Sequence, residues 1–488
     1  MERADRILPS GPIESLEDYI AGGGGRGLQE ARATTPDDVL QRLDGAGLRG
    51  RGGAGFPLSR KWRAVMANEA FEANASIVVN AAEGEPGSFK DRAILRANPY
   101  HVLEGALIGA HVVDASKVIV GCKRTEARSI DRLEHAIGEM GDAGWFGDVD
   151  VGVFAGPSEY LYGEETALLE TIDGRYPFPR IAPPYRRGVE EVVKDQSDVA
   201  ANSSSAAHVE MAGPDHIAPP TLASNVETFA NVPGVLAYGA EWFRSFGTAE
   251  SPGTIVCTVS GDTRRSGVAE VAMGTTLREL IDEVGNGVAP GRRIAAVMSG
   301  VANPLIPGDR IDVPLTYEDM RAIGTGLGCA GFIVFDDATD FTSVAAGVAR
   351  FLAVESCGQC AACKRDGLAI AETLAKLCAS RAEPIDLEQM RVSLGTVADG
   401  ARCNLPYQQQ AVVGSILELF PDQVAQHQQK TAAPTKRVPI AAIHELSEGT
   451  SMLDERQEAK QPDWTYAETD SGKWPANRLD DHRAHDRL

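Results

Sequence analysis

Apolar and polar positions follow two different periods in alternation along the first half of the chain. From Leu48, "LRGRGGAGFPLSRKW" reads as a glycine-rich loop whose Pro57 suits the first turn of a helix. "ASIVVNAAEGEPG" then reads as a short β-branched strand emptying into an acidic loop. Helical periodicity returns in "NPYHVLEGALIGAHVV" and in "TEARSIDRLEHAIGEM", with "KVIVG" and "VDVGVFAG" as strands after each. Alternation of helix and strand over about 130 residues predicts a layered α/β domain with a parallel sheet.

The pattern then changes three times. Residues 188–220 are polar, Ser/Ala-rich and end in Pro-Pro, which predicts an extended surface insertion. Residues 250–320 carry short β segments, "GTIVCTVSG", "IAAVMSG" and "GDRIDVP", around one helical run, "TTLRELIDEVG", the texture of a small α+β module. From Thr342 to about Ala425 nearly all of the pattern is helical. Beyond Gln426 the chain is polar and aperiodic, with too few apolar residues for a core, so it is expected to order only along a partner, if at all.

Length and charge narrow the classes. The 488 residues allow about three domains at roughly 150 residues each. With 69 acidic against 47 basic residues the net charge is -22, which repels a polyanion and excludes nucleic acid as a partner. Met1 to Ser10 lack an apolar signal core, and runs such as "KVIVGC" are too short to span a bilayer, so no direct membrane insertion and a cytoplasmic location are expected. Eight cysteines are too sparse for a disulfide framework; in a reducing compartment a tight cluster of them points to metal binding or catalysis.

That cluster is "ESCGQCAACKRDG", with Cys357, Cys360 and Cys363 at C-x2-C-x2-C spacing. Structural zinc usually takes two separated ligand pairs, whereas three thiolates in one loop plus a remote fourth suit an iron–sulfur cubane. Cys403 is the expected fourth ligand, because "GARCNLP" sets it between a Gly and a Pro in a loop; Cys378 sits at an apolar helical position and reads as core. Zinc stays open as the alternative. Gly50, Gly52, Gly53 and Gly55 lack Cβ atoms, so backbone N–H groups can approach a phosphate at the start of the helix after Pro57. Lys61 suits phosphate neutralisation or an ordinary surface charge, and Glu164 and Glu165 suit a ligand or the dipole of the helix they open.

Taken in order, "GRGGAGFP", "NAAEGEPGSFKDR", "YGEETALLE", "NVETFANVP" and the thiol motif resemble the flavin-bearing, NADH-oxidising subunit of respiratory complex I and of related NAD-linked hydrogenases and formate dehydrogenases, over about residues 40–420. The resemblance implies an α/β architecture: an FMN/dinucleotide domain at 46–248 with its 188–220 insertion, a ubiquitin-like α+β module at 249–335, and a helical bundle at 340–425 carrying a [4Fe-4S] cluster, between a 1–45 extension and a 426–488 polar tail. It assigns Asn80, Glu83, Asn225 and Thr228 to the flavin and Glu85 to the dinucleotide side, and places Tyr160, Gly163, Glu164 and Glu165 where flavin and NAD(H) meet, with Phe56 and Glu165 framing the nicotinamide. Tyr185 keeps the aromatic character expected after Pro-Pro, while Ala64, Ala82 and Ala182 depart from the family's aromatic, Asp and Lys. The implied function is electron transfer between NAD(H) and partner subunits through FMN and the cubane. Two alternatives stay open, a relay with a non-nicotinamide partner and a redox-silent assembly subunit. The implied setting is a larger redox complex, with a separate thioredoxin-like [2Fe-2S] chain as neighbour, cytoplasmic or peripheral to a membrane complex.

Overall fold

A computed structural model describes residues 4–68, 74–189 and 218–477. Most of the 188–220 insertion therefore lies outside the described residues. Among the described residues no helix is long and apolar enough to cross a membrane.

The first domain is organised by a parallel sheet of β1 (Ser76–Ala81), β2 (Lys117–Lys123), β3 (Asp150–Gly156) and β4 (Thr221–Asn225), in the order β3-β2-β1-β4. Ile77, Val78 and Val79 are fully buried, as expected for a strand covered on both faces. The Pro99–Val112 helix is apolar nearly all round because it lies between the sheet and the Val226–Tyr238 helix. The Ala127–Asp142 helix buries only one face, with Leu133, Ala136 and Met140 inward. β4 was not foreseen as a strand, since "TLASN" is short and follows a polar stretch; pairing with β1 from Ser76 to Asn80 supplies what its composition does not. The sheet order reverses between β1 and β4, and loops at the carboxyl ends of these strands bound the crevice where ligands of open α/β sheets bind.

The second sheet runs β6-β5-β9-β7-β8, from β5 (Thr254–Gly261), β6 (Gly267–Ala272), β7 (Ile294–Ser299), β8 (Ile306–Pro307) and β9 (Gly331–Asp336). β5 and β9 are parallel and the other pairs antiparallel. The Leu277–Val284 helix buries Leu277, Leu280, Ile281 and Val284 as its pattern requires. "GDRIDVP" does not extend as a strand: pairing ends at Pro307, and Gly308–Arg310 forms a 3-10 turn.

The third region is a bundle of helices Phe341–Glu355, Ala361–Cys378, Pro384–Thr396, Leu405–Leu419 and Pro421–Gln428. The expectation that the chain after Gln426 would order only on a partner is corrected by the structure. The chain is ordered to Asn477 against its own body, forming β10 (Ile443–Ser447) and β11 (Thr450–Leu453), with Ile440, Ile443 and Trp464 buried. Few apolar groups suffice because polar ones anchor the rest. Lys460 Nζ is buried against both oxygens of Glu355 at 2.8 and 2.9 Å, and Trp464 Nε1 donates to the Val354 carbonyl at 2.8 Å.

Candidate active site

The glycine loop is held from beneath. The Arg51 backbone N–H donates to Thr228 Oγ1 at 2.8 Å, the Gly50 N–H donates to the Phe56 carbonyl at 2.9 Å, and the Tyr317 hydroxyl donates to the Gly50 carbonyl at 2.9 Å. The Arg51 side chain is buried below the loop, 3.9 Å from Glu227. Gly53, at φ +117°, faces the backbone of Gly328 and Cys329 and occupies a conformation that side chains rarely adopt. Gly52, Gly53 and Ala54 thereby form one wall of a cavity of about 380 Å³, within the ~300–1,000 Å³ usual for small-molecule sites. Gly50, Gly55 and Thr228 build the loop and do not line the cavity.

The acidic loop after β1 forms the second wall, with Asn80, Ala82, Glu83, Gly84, Glu85, Ser88 and Asp91. Its polar groups are largely committed. Asn80 Nδ2 donates to the Gly163 carbonyl at 2.9 Å. Glu83 accepts from Ser88 Oγ at 2.5 Å and Arg92 Nε at 3.0 Å; burial opposes its charge, but Arg92 and Lys90 hold its carboxyl below the ordinary range. Glu85 accepts from Tyr160 Oη and the Val301 N–H, both at 2.6 Å, and burial pushes its carboxyl up. Lys90 donates to Asp91 at 2.6 Å and to Asn225 Oδ1 at 2.9 Å, and Asn225 Nδ2 donates to Asp91 at 2.7 Å.

Tyr160, Leu161, Gly163 and Glu164 close the third side. Glu164 caps the Glu165–Ile172 helix, accepting from the Thr166 and Ala167 N–H groups at 3.0 and 2.9 Å, so the helix-terminus reading of this carboxylate is realised. Glu165 does not enter the cavity lining; it pairs with Lys61. Phe56 lies outside the lining too, 53% exposed, and Tyr185 is half-buried against the first domain's core. The structure thus gathers Gly52, Gly53, Asn80, Glu83, Glu85, Tyr160, Gly163, Glu164 and Asn225 and leaves Phe56, Lys61, Glu165 and Tyr185 apart from them.

Ala302, Asn303, Gly328, Cys329, Asn404, Leu405 and Gln408, which were not foreseen, complete the lining with Cys403. They come from the second sheet's loops and from the bundle, and no local motif marks them. Asn303 Nδ2 is buried with no hydrogen-bond partner among the described residues. A buried donor without a partner at the wall of a cavity that also presents a backbone cradle with no Cβ atoms fits a bound polar ligand such as a flavin phosphate and ribityl chain.

Cys357, Cys360, Cys363 and Cys403 all line a small second cavity with Gln359, Arg402 and Pro406. The loop that carries the first three is held by Lys364, whose buried Nζ donates to the Ala353 and Ser356 carbonyls at 2.9 and 2.8 Å. Ser356 Oγ lies 3.3 Å from Cys363 Sγ, and Gln359 Nε2 donates to Cys357 Sγ at 3.4 Å. Burial pushes the Cys363 thiol up to about 11 and the Cys403 thiol up to about 12. Cys378 is elsewhere, its Sγ 3.6 Å from the Thr342 carbonyl. Among the described residues no three His, Cys, Asp or Glu groups are gathered tightly enough to hold a single metal ion. The four cysteines are nonetheless brought around one small cavity, three of them from one loop, which suits a shared iron–sulfur cluster.

Residues 43–234 match the Nuo51 FMN-binding domain family, and residues 343–427 match the NADH-ubiquinone oxidoreductase-F iron-sulfur binding region. An NADH-quinone oxidoreductase F subunit of Rhizobium meliloti (strain 1021) is 35% identical over 409 residues, spanning 82% of this chain and 90% of that protein. The NADP-reducing hydrogenase subunit HndC of Solidesulfovibrio fructosivorans is 31% identical over 423 residues, spanning 85% and 81%. A crystal structure of an NAD+-reducing [NiFe]-hydrogenase in the H2-reduced state superposes with a TM-score of 0.71 at 28% identity, covering 86% of this chain and 68% of that one.

Proposed function

The chain belongs to the family of NADH-quinone oxidoreductase F subunits, and from that premise we propose that it moves a hydride between NAD(H) and FMN and passes single electrons to a [4Fe-4S] cluster and on to partner subunits. One observation carries the coupling of the two sites: Leu161, Cys403 and Leu405 line both cavities, so the two share a wall one residue thick. When bound, the flavin supplies two-electron hydride chemistry and the cluster one-electron transfer.

Gly52, Gly53, Asn80, Asn225 and Asn303 are the groups that would hold the flavin, and Cys357, Cys360, Cys363 and Cys403 those that would hold the cluster. The cavity's carboxylates are already engaged, Glu83 by Arg92 and Glu164 by its own helix, so they orient the walls and need carry no proton. Lys364 holds the thiol loop from beneath through its backbone carbonyls, and a bound cluster's iron would offset what burial costs the thiolates. The relatives are subunits of larger enzymes, and this chain is one likewise; a separate thioredoxin-like [2Fe-2S] chain is the neighbour proposed for it. Anaerobic titration of the purified protein with NADH tests the reading. Bleaching of flavin absorbance followed by a reduced-cluster EPR signal is expected, and a flavin that stays oxidised under excess NADH would overturn it.

A further inference from the structure

A third cavity, of about 230 Å³, adjoins the flavin cavity and shares Glu83, Gly84 and Tyr160 with it. It is roofed by the start of β10 and the residues that follow β11, and floored by the turn from β2 into the Ala127–Asp142 helix. Arg92, Arg96, Lys123, Arg128 and Arg456 all face it. The facing acids hold most of these cations. Glu83 takes Arg92 at 3.0 Å, Glu445 takes Arg96 and Arg128 at 2.6 and 3.3 Å, and Asp454 takes Arg456 at 2.6 Å. Glu355 is held by Lys460.

Lys123 is left over. It is 6% exposed, its Nζ rests directly over the Gly84 Cα, and its side chain has no hydrogen bond or ion pair among the described residues. Burial lowers its proton affinity, with Glu126 and Glu355 near enough to oppose that in part but not to bond. Glu126 is 7% exposed and its Oε2 has no partner; burial pushes its carboxyl up, toward the form that donates a hydrogen bond. The Ala127–Asp142 helix has no side-chain cap, and its first residues, Ala127 and Arg128, line the same space. The unused valences are thus one buried ammonium, one buried carboxyl oxygen and the open N-terminal turn of a long helix. Together they suit an oxyanion, which accepts from all three.

We propose that this cavity binds a phosphate group, held by Lys123 and the N-terminal turn of the Ala127–Asp142 helix, at a site distinct from the flavin and dinucleotide cavity. The arginines ringing it are balanced by the acids that hold them, so the cationic group left to meet an anion is Lys123. Because the C-terminal hairpin supplies the roof, with Arg92 donating to the Ile443 and His444 carbonyls, an occupant would also tie the tail to the first domain.

The test uses the full-length protein carrying its cofactors, in phosphate-free buffer, with inorganic phosphate and ADP as separate probes in calorimetry and thermal melts. Saturable phosphate binding and a rise in Tm are expected for the wild type. Lys123→Met should weaken that binding about tenfold or more, as loss of a charge-assisted hydrogen bond implies, with FMN and iron contents unchanged. Arg128→Met, at the exposed rim, should weaken it by about threefold. ADP binding that is tighter than phosphate and is weakened by Lys123→Met identifies a nucleotide's phosphate as the occupant, and phosphate binding alone responding to that variant identifies the free ion. Absence of binding by either probe to the wild type, or unchanged affinity in either variant, overturns the proposal.

Discussion

The thiol site and the flavin cavity adjoin each other yet are built in opposite ways. Three of the four thiols lie within seven residues of one loop, and a single buried ammonium, Lys364, holds that loop by its backbone carbonyls. The flavin cavity draws its walls from the glycine loop, the turns after β1, β3 and β4, two loops of the second sheet and the bundle. In the first, covalent neighbourhood delivers the ligands and the fold only closes around them; in the second, the fold itself is the site. Damage to the thiol site should therefore be local and complete, and damage to the flavin cavity graded.

The largest expected effect tests that locality. Cys403→Ser should abolish the cubane, read as loss of nearly all bound iron and of the reduced EPR signal, while Cys378→Ser retains both. Equal iron loss in the two variants would break the assignment of the fourth thiol.

Glu355 joins the two regions and the tail: it stands two residues before Cys357, its carboxylate holds Lys460 of the tail, and it accepts from the Tyr160 N–H at 3.1 Å at the flavin cavity's edge. Glu355→Gln leaves Lys460 buried without its counter-charge, a loss of about 3–5 kcal/mol. A lowered Tm and faster proteolysis after Gln429 are expected; a melt within error of the wild type would show that the tail does not bridge the two regions.

Gly53→Val forces a branched side chain into φ +117°, a strain of about 1–3 kcal/mol. FMN affinity should fall about tenfold to a hundredfold with iron content intact, as measured by flavin retention on dialysis. Full flavin retention would show that the glycine backbone is not what cradles the cofactor.

The smallest effect concerns the charge buried at Glu85. Burial raises its folded-state pKa, so its contribution to stability is fully present below the unfolded value of about 4.3 and is lost as pH rises through the folded value. Glu85→Gln keeps an acceptor for Tyr160 and Val301 and should raise the Tm of the flavin-free protein at neutral pH, the gain fading as pH falls toward about 4.3. A gain independent of pH would mean that the carboxyl is not the source.

The order of helix and strand in the first domain, the helical texture of the bundle and the thiol motif are local properties, carried by hydrophobic period and by ligand spacing, and the sequence determined them by itself. The loop character of Cys403 was equally local, marked by its flanking Gly and Pro. Tertiary structure decided the rest, because it depends on groups far apart in the chain. Glu83 and Glu164 look alike as free carboxylates in the sequence, yet one is spent on Arg92 and the other on its own helix. Thr228 supports the glycine loop from below rather than facing the cavity. Asn303 and Gln408 reach the cavity from loops with no motif, brought there by the second sheet and the bundle. The tail, too polar to make a core, is ordered because Trp464 and Lys460 enter one that other segments have already built, where a few buried contacts and one ion pair offset the entropy of the segments between them.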